Sequence, residues 1–170
     1  IITGLVGSEM CIRDRDITLH HLLTHTSGYA YDFHAEMIAE LVAQEKIAGL
    51  ASDNDAFLAA PLIFQPGENW EYGSNIEWAG KIVEKVSGVD LNEYVKANIL
   101  RPLGMKNTSF SINDLSADAL VPLSLRDDDG NLSDVSELMP NVTDGPYLGG
   151  GGLYSNVGDY MKFMRMVLQL

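Results

Sequence analysis

The stretch Trp70-Glu71-Tyr72-Gly73-Ser74-Asn75-Ile76-Glu77-Trp78-Ala79-Gly80 constrains this chain more than any other. Ser74 and Glu77 stand in S-x-x-E spacing, the pattern by which a hydroxyl and a carboxylate satisfy the free N–H groups of a helix start. The spacing predicts a helix opening at Ser74, with Ile76, Ala79, Gly80, Val83 and Val86 on its buried stripe and its end at Ser87-Gly88. Pro66-Gly67 upstream is a strong turn signal.

The same grammar punctuates the rest of the chain. Thr18 predicts an N-cap for a helix over 19–25, closed by Ser27-Gly28. Met37, Ile38, Leu41 and Val42 give an apolar stripe to a helix over 33–48, with Gly49 beyond its end. Ser52 opens a third helix carrying Phe57 and Leu58, with Asp53 and Asp55 in its first turn and Pro61 after it. Asp90 and Glu93 open a helix to about Leu100, which Arg101-Pro102-Leu103-Gly104 breaks. Leu123–Ser133 predicts a hairpin turning at Asp128-Asp129-Gly130, and Asn156 or Ser155 caps a final helix. The pattern is α+β, mainly α.

Composition narrows the function classes. Of 170 residues, 46% are hydrophobic and 21% charged, an ordinary globular balance. A net charge of −13 argues against nucleic acid and anionic membranes as partners. The single cysteine, Cys11, allows no internal disulfide, there is no C-x-x-C pair for zinc, and no apolar run approaches a membrane span. Residues 1–7 are apolar but too short and without the basic segment of a signal peptide, and 8–15 have no helical or strand period; 1–15 read as a non-native scar or disordered leader, with the domain over 16–170. The last segment, Met161–Leu168, is an apolar helical pattern without a cap. Both ends read as truncations, which leaves localisation open between cytoplasm and periplasm, and oligomeric state unknown.

Four groups of residues invite a chemical reading. Tyr72 lies two residues before the expected N-cap, where the positive end of a helix dipole favours a phenolate. A phenol titrates near pH ~10, so action as a base needs such help. By spacing alone, packing beside Trp70 and Trp78 is the better account. His21 and His25 share a helical face, but Leu22 stands where H-E-x-x-H needs Glu, which favours histidines hydrogen-bonded to backbone over a zinc site. A calcium loop starting at Asp127 would need Gly at its sixth position, where Leu132 stands, so a solvated turn is expected. Gly149-Gly150-Gly151-Gly152 lacks the lysine of a phosphate loop and suggests close backbone packing. No serine has a lysine three residues on, and no G-x-S-x-G elbow is present.

Four segments nevertheless resemble one family in order. They are Ile17-Thr18-Leu19-His20-His21-Leu22-Leu23-Thr24-His25-Thr26-Ser27-Gly28; Phe64-Gln65-Pro66-Gly67 with Trp70-Glu71-Tyr72-Gly73-Ser74; Asn98-Ile99-Leu100-Arg101-Pro102-Leu103-Gly104-Met105 with Thr108-Ser109-Phe110; and Gly150-Gly151-Gly152-Leu153-Tyr154-Ser155 with Asp159-Tyr160. This set is similar to the serine β-lactamases and penicillin-binding proteins, and most of all to family VIII carboxylesterases and related acyltransferases. The resemblance reverses the packing account of Tyr72, which falls on the family's catalytic tyrosine. It implies part of a β-lactamase/transpeptidase-like fold lacking most of the central antiparallel sheet, with exposed apolar surface where that sheet would pack.

The chemistry implied is an acyl-enzyme mechanism on a small-molecule ester or amide, without a cofactor or metal. A serine attacks the carbonyl, and lysine and tyrosine serve as base and proton shuttle. Neither the S-x-x-K pair nor the third active-site motif lies in this chain, so the chain alone is expected to be inactive. Trp70, Ser74 and Asn75 are candidate substrate-binding residues. Where β-lactamase-like members have Y-x-N, this chain has Ser74 two residues after the tyrosine, a departure that favours the esterase-like version. The alternatives are a non-catalytic β-lactamase-like binding protein, and a β-lactamase or D-Ala-D-Ala carboxypeptidase.

Overall fold

The computed structural model describes residues 15–52, 55–116, 120–136 and 145–169. The expected leader, apart from Arg15, lies outside the described residues, as do Cys11 and Asp53. Two compact units are present: one takes in the chain up to Gly88 together with Leu148–Gly151, the other Val89–Tyr147 with Gly152–Leu170. Among the described residues the architecture is mainly helical, with a two-stranded antiparallel sheet.

In the first unit, α1 spans Leu19–Leu23. Thr18 caps it as expected, and the box is closed by a residue the sequence did not suggest. The Thr18 hydroxyl accepts from the His21 N–H, and His21 Nδ1 accepts from the Thr18 N–H, each at 3.2 Å. The helix stops two residues short of the predicted His25. The Thr24 hydroxyl donates to the His20 carbonyl at 2.7 Å, and His25 takes φ 56°.

Helix α2 covers Glu36–Ala43, not 33–48. Glu45 adopts φ 55°, its N–H bonds the Val42 carbonyl at 2.9 Å, and the Lys46 N–H reaches Leu41 at 2.9 Å. These paired bonds close the helix by the left-handed route usually given to glycine. Gly49 therefore ends no helix; it lies against the Asp32 carboxylate and Val42. The third helix is a single tight turn, Asp55–Ala59, which buries Phe57 and Leu58.

Helix α3, Asn75–Ser87, ends at Gly88 with φ 76°, as expected. Its start differs: Ser74 makes no side-chain cap bond, so the S-x-x-E box does not form. The buried face carries Asn75, Glu77 and Gly80, while Val86, expected inside, is 82% exposed. The polar inner face follows from partners across the fold, described below. Around these elements lie two apolar clusters. Ala30, Ala35, Ile38 and Ala60 pack with Val42, Ile47 and Ile63; Tyr31, Phe57 and Leu58 pack with Leu50, Trp78 and Leu148.

In the second unit, Asp90 caps α4, Leu91–Val95, by accepting from the Glu93 N–H at 2.8 Å. The helix does not break at Pro102. It widens into a π turn over Lys96–Leu100 and re-forms as α5, Arg101–Leu103, with the proline in its opening positions where no N–H is needed. Gly104, at φ 64°, ends it.

Strands β1 (Ser124–Arg126) and β2 (Leu132–Asp134) pair antiparallel about the expected turn, where Gly130 has φ 87°. The Asp127 carboxylate accepts from the Asn131 backbone at 2.8 Å, so this acidic run closes a solvated turn.

Helix α6, Val157–Val167, is capped by Asn156. Its Asp159 is 2% exposed and accepts from the Asn107 N–H at 2.7 Å, the Thr108 hydroxyl at 3.1 Å and Lys162 Nζ at 2.6 Å. Burial alone would raise this carboxyl, but Lys162, Asn107 and Thr108 hold it below the usual carboxylate range. Lys162 also donates to the Gly104 carbonyl at 2.6 Å, so one network binds the end of α5 to α6. Along α6, Val157, Tyr160 and Met161 are exposed, and so is Leu168 just beyond its end.

Candidate functional site

The residues around Tyr72 are placed by the loop that follows α1. The Glu71 N–H bonds the His25 carbonyl at 3.0 Å, the Gly67 N–H bonds Thr26 at 2.7 Å, and the Ile63 N–H bonds Gly28 at 2.9 Å. The 63–71 stretch is thus laid along 25–28. Gly28 has φ 96°, and a methyl there would collide with the Phe64 carbonyl. Gly73 approaches the Tyr29 carbonyl and Ala30 Cα so closely that a side chain has no room. Close backbone contacts therefore deliver Tyr72 to the mouth of α3.

The Tyr72 ring is 40% exposed and rests in a nest of aromatic neighbours. Its centroid lies 5.0 Å from His25 (35°), 5.4 Å from Tyr31 (63°) and 5.7 Å from His34 (80°). Trp70 is 63% exposed, its ring 6.1 Å from that of His25 and tilted by 55°. Trp78 does not join this group; it stacks on Tyr29 at 5.8 Å and 21°.

The other proposed site residues face inward. Asn75 is fully buried; its Oδ1 accepts from Ser27 Oγ at 2.5 Å, and its Nδ2 reaches the Tyr29 carbonyl at 3.5 Å. Ser74 is buried too, and its hydroxyl has no hydrogen-bond partner among the described residues. Neither side chain lies beside the exposed phenol. The structure brings Tyr72 and Trp70 to one aromatic surface and turns Ser74 and Asn75 into the fold.

A buried acid–phenol pair stands behind Tyr72. Tyr31, 7% exposed, donates its hydroxyl to Glu77 Oε1 at 2.6 Å. Burial, the hydrogen bond and the carboxylate charge all push ionisation of Tyr31 far upward, so it stays a neutral donor. Glu77 is 4% exposed, and its Oε2 has no hydrogen-bond partner among the described residues. Gly149 and Gly150 complete the enclosure: a methyl on Gly150 would collide with the Glu77 carboxylate and one on Gly149 with the Ile76 carbonyl. Close chain packing, which the sequence suggested for the whole run, holds for Gly149 and Gly150; at Gly151 and Gly152 nothing lies within 4 Å of where a side chain would start.

Tyr31, His34 and the true role of Glu77 were not found from the sequence. The S-x-x-E spacing pointed Glu77 at its own helix, whereas its partner is 46 positions away. His21 serves α1, and no cluster of three or more metal-ligating side chains occurs among the described residues.

The sequence model of the Beta-lactamase family matches residues 12–170. Monacolin J acid methylbutanoyltransferase of Aspergillus terreus is 35% identical over 90% of this chain and 38% of its own length. Lovastatin esterase of Penicillium rubens is 33% identical over 99% of this chain and 44% of its own. The unliganded simvastatin synthase of Aspergillus terreus superposes with a TM-score of 0.74 at 34% identity, over 92% of this chain and 38% of that one. A penicillin-binding protein of Bacillus halodurans follows with a TM-score of 0.65 at 28% identity, over 90% and 46%. The chain spans about two fifths of the length of the curated relatives it matches. With that family model matching residues 12–170 and the fold shared with its solved relatives, the chain belongs to the Beta-lactamase family.

Proposed function

We propose that this chain is part of a serine hydrolase or acyltransferase that works through an acyl-enzyme, and that Tyr72 is its proton-transfer group. The single observation that carries this reading is the setting of Tyr72: a half-exposed phenol held by rings on three sides, at the start of α3, beside a second phenol committed to a carboxylate. Relatives named for acyl transfer and for an esterase support a small-molecule ester as substrate. The nucleophile and its lysine come from outside this chain, which has no S-x-x-K pair, so the chain alone forms no acyl-enzyme.

In this mechanism Tyr72 takes the serine's proton as the serine attacks the carbonyl, and passes that proton on to the departing alkoxide. Trp70, exposed on the same surface, offers an apolar wall to the substrate. The test is hydrolysis of p-nitrophenyl butyrate by the full-length protein that carries this chain. Tyr72→Phe is expected to lower kcat about a hundredfold or more, the ordinary weight of a lost proton-transfer group. Full activity in Tyr72→Phe overturns the assignment.

A further inference from the structure

We infer that Tyr31 is a positioning residue for Tyr72, and that Glu77 holds Tyr31 in that role as a permanent hydrogen-bond donor. The inference rests on the assignment of Tyr72 as the proton-transfer group. It starts from the fact that two phenols lie side by side, their centroids 5.4 Å apart with one edge toward the other. Only one of them can accept a proton in the reaction, and the surroundings decide which.

Tyr31 is buried, and its one hydroxyl proton is given to Glu77. Ionising it would set a second negative charge against a buried carboxylate, which both burial and Coulomb repulsion oppose. Tyr72 is 40% exposed, and its hydroxyl makes no such bond among the described residues. The carboxylate therefore divides the labour between two chemically identical side chains.

Tyr31 also cannot move. Its ring packs with Phe57 and Leu58 and stacks on Phe33 at 5.1 Å and 13°. The Tyr72 ring, by contrast, projects from the loop and owes its direction to the rings around it. Tyr31 is the buried member of that set; His34 is exposed and His25 half-buried. Glu77 lies on the same segment as Tyr72, so its bond to Tyr31 fixes the separation of the two phenol-bearing stretches. Among the described residues Oε2 has no partner and the Tyr31 hydroxyl is the hydrogen bond this carboxylate receives, so losing it would leave the charge bare.

The experiment is a double-mutant cycle in the full-length protein, with p-nitrophenyl butyrate as substrate. Tyr31→Phe is expected to lower kcat about tenfold to a hundredfold with KM within about threefold, the mark of a misplaced group and not of lost binding. In a Tyr72→Phe background the same substitution should cost less than about twofold, because its effect passes through Tyr72. Glu77→Gln keeps an acceptor for Tyr31 and should stay within about threefold of wild type, whereas Glu77→Leu should match Tyr31→Phe.

If Tyr31→Phe does not fold, Tyr31→Phe with Glu77→Leu removes the bare charge and carries the same comparison. Wild-type kcat in Tyr31→Phe overturns the inference. So does a full loss repeated on top of Tyr72→Phe, or Glu77→Gln falling as far as Glu77→Leu. Full activity in Tyr72→Phe would instead strike the assignment beneath it.

Discussion

Asp159 offers the sharpest test of how the second unit is held. Its carboxylate is 2% exposed and accepts from the Asn107 N–H, the Thr108 hydroxyl and Lys162 Nζ. In Asp159→Asn the shape is kept and the charge removed. Thr108 still has Ser155 Oγ at 2.8 Å, and Lys162 still has the Gly104 carbonyl at 2.6 Å. The Asn107 N–H is the group left with the weaker acceptor. A hydrogen bond to a charged group is worth about 1.5–3 kcal/mol net, and a neutral one about 1 kcal/mol, so the difference is about 1–2 kcal/mol.

The assay is hydrogen exchange at the Asn107 amide in the folded protein. A loss of about 1–2 kcal/mol corresponds to a fall in protection of roughly fivefold to thirtyfold at pH 7. The acid dependence gives a second reading. The folded-state pKa of Asp159 is depressed, so its contribution is full above the unfolded carboxylate value near pH ~4 and is lost as pH falls through the lower folded value. Wild type should lose this protection in acid, and Asp159→Asn should show no matching step. Equal protection in the two proteins at pH 7, or the same acid step in both, would refute the account.

Two further substitutions test helix ends in the first unit. Ser74→Ala should change Tm by less than about 2 °C, since Ser74 caps nothing and its buried hydroxyl has no hydrogen-bond partner among the described residues; a loss near the ~1 kcal/mol of a true N-cap would restore the capping box. Glu45→Gly should raise stability by a few tenths to about 1 kcal/mol in urea unfolding, because φ 55° costs a side chain what it does not cost glycine; a decrease would mean that the Glu45 side chain makes a contact of its own.

The sequence was most informative where structure is local. Asp90 and Asn156 cap the helices they precede, Gly88 and Gly104 end theirs in the left-handed region, and the Asp128-Asp129-Gly130 turn makes its hairpin. Each of these depends on residues within four positions of one another, so spacing can report them. The failure that matters most for the site is long-range. Ser74 and Glu77 had the right spacing for a box, yet the buried face of α3 answers to Tyr31 and Ser27, on the loop after α1. Helix α2 ends early because Glu45 accepts a conformation that side-chain propensity disfavours. Pro102 does not break its helix because the π turn before it re-aims the backbone. Tyr72 was singled out through its ordered companions, whereas Tyr31 and His34, which pack near it, carry no spacing signal at all.

The way 63–71 is laid along 25–28 bears on how this part of the protein can be transplanted or varied. The phenol-bearing loop carries a local turn at Gln65–Glu68, but its direction is written in the His25, Thr26 and Gly28 carbonyls and in the Ser27–Asn75 bond. A graft of Trp70–Gly80 onto another scaffold would arrive without its mould. Residues 25–34 and 63–78 are in that sense one part made of two strips of chain, to be moved together, randomised together and read together in any comparison of relatives.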